Sequence, residues 1–290
     1  MKVILALISV YIFWGTEYFI VKLTVSAIPP LLLGGVVATF SGAILCIATI
    51  ANKTMRPTAK DIKNAFLCGF FLIALSSGLI PLLTTYLDSG LVALIFGLSP
   101  AAAISIEWLI LRQARPSAIT LIGVLLGFLG LACTVVPALT GNLSVSLIGI
   151  AIGFIDVVAW GVGMIIARHA KFTISSTAVN GLQLLFSGLL LLAASVVAGE
   201  LSNASFDMLG RADIISLFYL VIFSYAVGFT IYMWLLENAR LPIVSTTAYV
   251  CPVIAVFLGV TLDGEAVTPY YIATGVFIIL SLLFTSKRAS

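Results

Sequence analysis

The 290-residue chain is 62% hydrophobic and only 9% charged, with a mean hydropathy of +1.25 and a net charge of +3. A soluble globule carries about 25% charged residues, so too few charges exist here to build a water-facing surface. The composition excludes a soluble domain and calls for an all-α integral membrane protein.

The apolar runs have the length an α-helix needs to cross about 30 Å of hydrocarbon. Short segments of alternating polarity, the mark of a transmembrane barrel, are absent. Taken in order, the runs predict ten helices over residues 3–23, 30–51, 64–84, 91–111, 117–137, 146–167, 174–198, 213–236, 243–262 and 269–286. Residues 25–27, Val-Ser-Ala, faintly resemble a signal-peptidase site. The run before them is too long for a signal segment and contains Trp14, Glu17 and Lys22, so it reads as a retained spanning helix.

Lys and Arg collect in cytoplasmic loops. With the N-terminus inside, Lys2, Lys53, Arg56, Lys60, Lys63, Arg112, Arg115, Arg168, Lys171, Arg240, Lys287 and Arg288 fall on the inner side, 12 of the 14 basic residues. Both termini are therefore expected in the cytoplasm, in the cell (inner) membrane. The positive balance reflects topology and makes no case for nucleic acid.

The first helix carries FWGTEYFIVK (13–22), a carboxylate and an ammonium inside an apolar run. A charge near the bilayer centre costs at least about 2.5–3.5 kcal/mol on insertion scales, so it faces a cavity or a partner. Glu17 shares a helical face with Trp14, three residues away, and Tyr18 extends that face. In the sixth helix, Asp156 shares a face with Trp160, four residues on. Lys22 is five residues past Glu17, about 140° around the helix, which disfavours a pair between them. Its stem can snorkel to the outer interface. Lys22 and Arg168 are assigned gating or structural roles. Glu107 and Glu237 lie near Arg112 and Arg240 and read as solvated or paired, while Asp88 and Asp263 fall in loops.

Pro100 and Pro252 sit in the fourth and ninth helices, where a proline removes a backbone donor and kinks the helix; they read as paired hinges, with plain kinks without movement as the alternative. Gly123–Gly127 and Gly149–Gly153 have the spacing of close helix contacts. Ser76, Ser77, Tyr225, Tyr232 and Tyr249 are further candidates for the cavity wall, with core filling as the plainer alternative. Cys46, Cys68, Cys133 and Cys251 lie inside apolar runs without disulfide or metal-ligand spacing. His169 is the single histidine, and no metal or other cofactor is expected.

The chain repeats itself. WGTEYFIVK (14–22) aligns with WGVGMIIAR (160–168) at an offset of 146, and LSPAAAI (98–104) with VCPVIAV (250–256) at 152, which also carries Gln113 onto Glu265. The division falls into residues 1–140 and 141–290, five helices each. An odd number turns the second half upside-down relative to the first, the inverted repeat common among secondary transporters.

Trp-Gly followed by a basic residue in each half, a proline in each fourth helix, LDGEAVTPYYIATG (262–275) and the 5+5 layout together resemble the drug/metabolite transporter superfamily, specifically EamA-type exporters with two EamA repeats. The resemblance covers essentially the whole chain. It implies a central cavity formed mainly by helices 1, 3, 4, 6, 8 and 9, with helices 5 and 10 at the side. It also implies export of small polar metabolites, amino acids first. Two departures stand out: LILRQARPS (109–117) lacks the acid of the Gly-Glu turn, and Glu17 replaces a residue that is usually neutral.

No phosphate-binding loop appears, so energy would come from an ion or substrate gradient, with protons as candidate coupling ion. Organic cations and quaternary amines are the alternative cargo, since Glu17 with Trp14 and Tyr18 offers charge and cation–π attraction. A channel or a membrane-embedded enzyme is the remote alternative; no nucleophile, base or metal cluster supports an enzyme. The expected partners are a small-molecule substrate and the lipid bilayer, with the chain acting as monomer or homodimer.

Overall fold

A computed structural model describes residues 2–112, 115–139, 146–204, 209–239, 241–244 and 246–286. Among these residues the long elements are all helical: α1 (Lys2–Thr24), α2 (Pro30–Ala51), α3 (Ala59–Thr84), α4 (Ser89–Ile110), α5 (Ala118–Leu139), α6 (Leu147–His169), α7 (Ser176–Val197), α8 (Arg211–Leu235), α9 (Thr247–Leu262) and α10 (Pro269–Ser286). Seven of them, α1–α4 and α6–α8, are long and apolar enough to cross a membrane. The apolar stretches of α5, α9 and α10 are shorter, Ala118–Cys133, Val250–Leu262 and Pro269–Thr285. Gln113, Arg240, Lys287, Arg288 and the boundary at 140–141 lie outside the described residues, as do the side chains of Glu237 and Tyr249.

Helix starts follow capping chemistry. A Ser or Thr oxygen just before a helix takes one of its unpaired N–H groups. Ser146 does this for α6 and Ser175 for α7. α3 begins earlier than its hydrophobicity suggests, because Thr58 and Asp61 form a capping box. Asp61 also accepts from the Thr173 N–H at 2.8 Å, tying the start of α3 to the α6–α7 loop. α2 opens on Pro29 and Pro30, and the Glu200 carboxylate caps it by accepting from the N–H groups of Leu31 (3.1 Å) and Leu32 (2.8 Å).

Three helices are irregular. α3 passes through a π stretch (Phe70–Ala74), breaks at Leu75–Ser76, and resumes as Ser77–Leu79 and Ile80–Thr84. α4 is interrupted at Gly97–Leu98 and ends in a second π stretch, Ile106–Ile110; α8 carries a third, Leu220–Gly228. The break corrects the placement of Pro100. It stands in the first turn of the restarted stretch Ser99–Ser105, where a missing N–H costs nothing, whereas Pro252 lies inside continuous helix. The two prolines are not equivalent kinks.

The packing has a twofold pattern. α2 lies along α7 and α5 along α10, the most extensive contacts of the fold. α1 packs on α9 and α8, while α6 packs on α4 and α3. Exchanging each helix with the one five places on leaves this network unchanged. Gly15 of α1 faces Ile254 of α9, and Gly161 of α6 faces the Ala103 backbone of α4, so each Trp-Gly pair seats its helix on the other half. Gly123 and Gly127 press on α10, and Gly149 and Gly153 on residues of α3, α4 and the turn between them.

Lys22, near the end of α1, pairs with Asp88, which directly precedes α4. Glu107, near the end of α4, pairs with Arg168, near the end of α6. The C-terminal ends of α1 and α6 therefore lie at opposite ends of the bundle.

Burial is inside-out relative to a soluble protein. Large apolar side chains such as Ile47, Leu125, Phe218 and Ile272 are exposed, while Glu17, Ser76, Asp156, Asn180 and Gln183 are buried. An added Cβ at Gly188 would lie 2.3 Å from the Thr39 backbone nitrogen. Gly188→Val should therefore force α2 from α7 and cost about 1–3 kcal/mol, the usual price of overpacking. At Gly275 the nearest atom is 3.7 Å away. Gly275→Ala should leave the thermal midpoint in detergent unchanged or slightly raised, since alanine is favoured over glycine in a helix by about 1 kcal/mol.

Candidate functional site

The two Trp-Gly helices bring their aromatic rings together. Trp14 and Trp160 meet edge to face with centroids 6.3 Å apart. Tyr232 and Phe229 of α8 lie 4.7 and 5.0 Å from Trp14, and Phe96 of α4 lies 4.9 Å from Trp160. The Trp14 indole N–H donates to the Ser224 carbonyl at 3.2 Å, fixing the ring against α8. Trp14, Trp160 and Tyr232 thus converge as the sequence suggests, and Phe96 and Phe229 join them.

The carboxylates stand to one side of this cluster. Glu17 is three residues beyond Trp14 in the direction of Lys22, about 4.5 Å along α1. α6 runs the opposite way, so Asp156, four residues before Trp160, is displaced toward the same end by about 6 Å. Both carboxylates therefore sit at similar depth. Tyr18 and Tyr225 each lie within electrostatic reach of both, and Tyr219 and Cys251 within reach of Glu17.

The break in α3 explains the setting of Asp156. With the backbone unwound at Ser76 (φ −128°, ψ −104°), the Ser76 hydroxyl turns to Asp156 and donates to its Oδ1. The Tyr225 hydroxyl donates to the Ser77 carbonyl at 2.9 Å, so the opened backbone is also answered. Ser76, Ser77, Tyr18, Tyr225 and Tyr232 are all buried. Glu17, 4% exposed, has no hydrogen-bond or ion-pair partner among the described residues. Three other acids are buried there, Asp61, Asp156 and Glu265, and each of them is partnered.

Beyond Glu17, toward the end of α1, Lys22 contacts three carboxylates: Asp263 at 2.7 Å, Glu265 at 2.9 Å and Asp88 at 3.3 Å. Asp88 and Asp263 are therefore its ion-pair partners and not idle loop charges. Glu265 was visible in the sequence only as part of the Gly-Glu turn. Glu107, expected beside Arg112, instead reaches Arg168 on α6 at 3.2 Å. No grouping of His, Cys, Asp and Glu suited to a metal ion occurs among the described residues.

Known proteins agree with this architecture. Residues 1–136 and 147–287 each match the EamA-like transporter family. The chain is 27% identical to the uncharacterized inner membrane transporter YedA of Escherichia coli strain K12 over 282 residues, covering 97% of this chain and 89% of that protein. It is 23% identical to the uncharacterized transporter YvbV of Bacillus subtilis, covering 98% and 92%. A solved crystal structure shares the fold at 15% identity, with a TM-score of 0.64 over 100% of this chain and 99% of the other. The chain belongs to the EamA-like transporter family.

Proposed function

We propose that this transporter is a secondary carrier that works by alternating access. Its halves, 1–140 and 141–290, are inverted repeats, and both termini face the cytoplasm of the inner membrane. Its cargo is a small polar metabolite bearing an ammonium group, amino acids first, moved outward and exchanged for protons.

One observation carries the reading: among the described residues Glu17 is the buried carboxylate without a hydrogen-bond or ion-pair partner, beside the aromatic cluster and level with Asp156. Burying an ionised carboxylate alone is expensive, so the site calls for a proton or a cargo cation. Both serve a carrier that loads at one face and unloads at the other. The exchange-symmetric packing and the opposed ends of α1 and α6 support inverted halves, and the bias of basic loops supports the orientation.

The charge inventory favours a second cargo, organic cations and quaternary amines. Lys22, the cation nearest the site along α1, is already held by three carboxylates. A zwitterion would bring a carboxylate that Lys22 is not free to meet, whereas a cation would find Glu17 with the aromatic cluster beside it.

In reconstituted vesicles, Glu17→Gln should lower substrate-driven or proton-driven flux at least tenfold while leaving the thermal midpoint near that of the parent. Flux unchanged across a pH series would remove Glu17 from the mechanism. A thermal-shift screen of amino acids, nucleobases and quaternary amines should find ligands among amine-bearing compounds, because binding to the folded state raises its stability; a 100-fold excess over Kd is worth about 2.7 kcal/mol. Stabilisation confined to nucleobases would contradict the cargo class.

A further inference from the structure

Building on the alternating-access reading, we propose that Glu265 is the bolt of an outer gate. It fastens the α9–α10 turn to α1 and to the start of α4, and the way to Glu17 and Asp156 opens at the Lys22 end only when that fastening breaks. The Glu265 side chain is 2% exposed. One of its oxygens, Oε1, accepts from the Ser89 N–H at 2.7 Å, the Ser89 hydroxyl at 2.6 Å and Lys22 Nζ at 2.9 Å. The other, Oε2, accepts from the Gly90 N–H at 3.2 Å. The carboxylate thus sits on the N-terminus of Ser89–Phe96, where unpaired N–H groups and the helix dipole favour an anion.

The backbone is shaped for this seat. Gly264 adopts φ +67°, a left-handed turn suited to glycine, which directs the chain back toward α4. A Cβ on Gly259 would stand 2.2 Å from Glu265 Oε2, so only glycine leaves room for the carboxylate. Ser89–Phe96 is separated from the rest of α4 by the break at Gly97–Leu98, and α3 ends just before it at Thr84. In the proposed gate this short stretch is the part that moves.

The opposite end is held differently. Arg168 is 71% exposed and reaches one carboxylate, that of Glu107. Exposed pairs contribute only about 0–1 kcal/mol. The two ends of the path are unequally fastened, and the Lys22 end is the one that must be unlocked.

The test reads accessibility and needs no cargo, so it stands or falls separately from the flux measurements. Ser77→Cys is introduced into the full-length protein with Cys46, Cys68, Cys133 and Cys251 replaced by serine, and a membrane-impermeant maleimide is applied to intact cells. Labelling should be slow in this background and about fivefold or more faster with Glu265→Gln or with Lys22→Met, the lower end of typical coupling energies. The double variant should label no more than twofold faster than either single one, because both remove the same fastening. Unchanged labelling in both single variants, with thermal midpoints lowered, would make the cluster a structural brace and overturn the gate; so would multiplying effects. If Glu265→Gln does not fold, Lys22→Met and Ser89→Ala each remove one donor from the seated carboxylate. Faster labelling in either supports the gate, and an unaltered rate in both overturns it.

Discussion

A carboxylate buried inside the protein has to be answered by a donor or a cation, and the fold is arranged around meeting that demand. Asp61 is answered by Thr58 and Thr173, Asp156 by Ser76, and Glu265 by Lys22 and the start of α4. Glu200, only partly buried, is spent on the N-terminus of α2. Each answer joins segments far apart in sequence, so the buried acids act as fasteners as well as burdens. Against this background Glu17 is conspicuous. Stability gives no reason to keep in α1 an acid that lacks a partner among the described residues, and the proposed site that meets charge from outside the protein does.

How much of this was legible beforehand follows from the range of the interactions. Helix positions are written in runs of local hydropathy, and the convergence of Trp14 and Trp160 is written in the internal repeat. Gly15 and Gly161 follow from the same repeat, since each faces the equivalent helix of the other half. The cluster around Lys22 is a different matter. Glu265 lies 243 residues away, and no periodicity links the two positions. The sequence therefore left Lys22 as a snorkelling cation and Asp88 and Asp263 as loop charges. The breaks in α3 and α4 were hidden for another reason. Leu75–Ser76 contains no strong helix breaker, and Pro100 drew attention to itself while the interruption lies at Gly97–Leu98. Tertiary partners, namely Asp156 for the Ser76 hydroxyl and Tyr225 for the Ser77 carbonyl, make the unwound backbone tolerable.

α3, α4 and α8 each carry a π stretch, and all three contact α1 or α6. π stretches and mid-helix breaks concentrate at functional sites because they leave carbonyls and side chains free to change partners. α2 and α7, by contrast, are unbroken and lie flush along each other through Gly42 and Gly188. α5 and α10 pair in the same way through Gly123 and Gly127. Unbroken pairs thus flank interrupted helices, an arrangement suited to the proposed carrier.

In the proposed carrier the two closures around Glu17 and Asp156 differ in kind, and this bears on how each would open. Toward the end of α1 the barrier is ionic. Its attraction weakens steeply once water enters, because the effective dielectric constant rises from about 20 near a protein surface toward about 80. Such a barrier is firm when dry and fails as a unit when wet. Toward the end of α6 the barrier is the packed group of Trp14, Trp160, Phe96, Phe229 and Tyr232. Aromatic pairs contribute about 0.5–1.5 kcal/mol each beyond burial and keep much of that through small rotations, so this barrier yields by repacking. In the proposed carrier one closure answers to hydration and the other to shape, and Phe96, on the same stretch as Ser89, links the two.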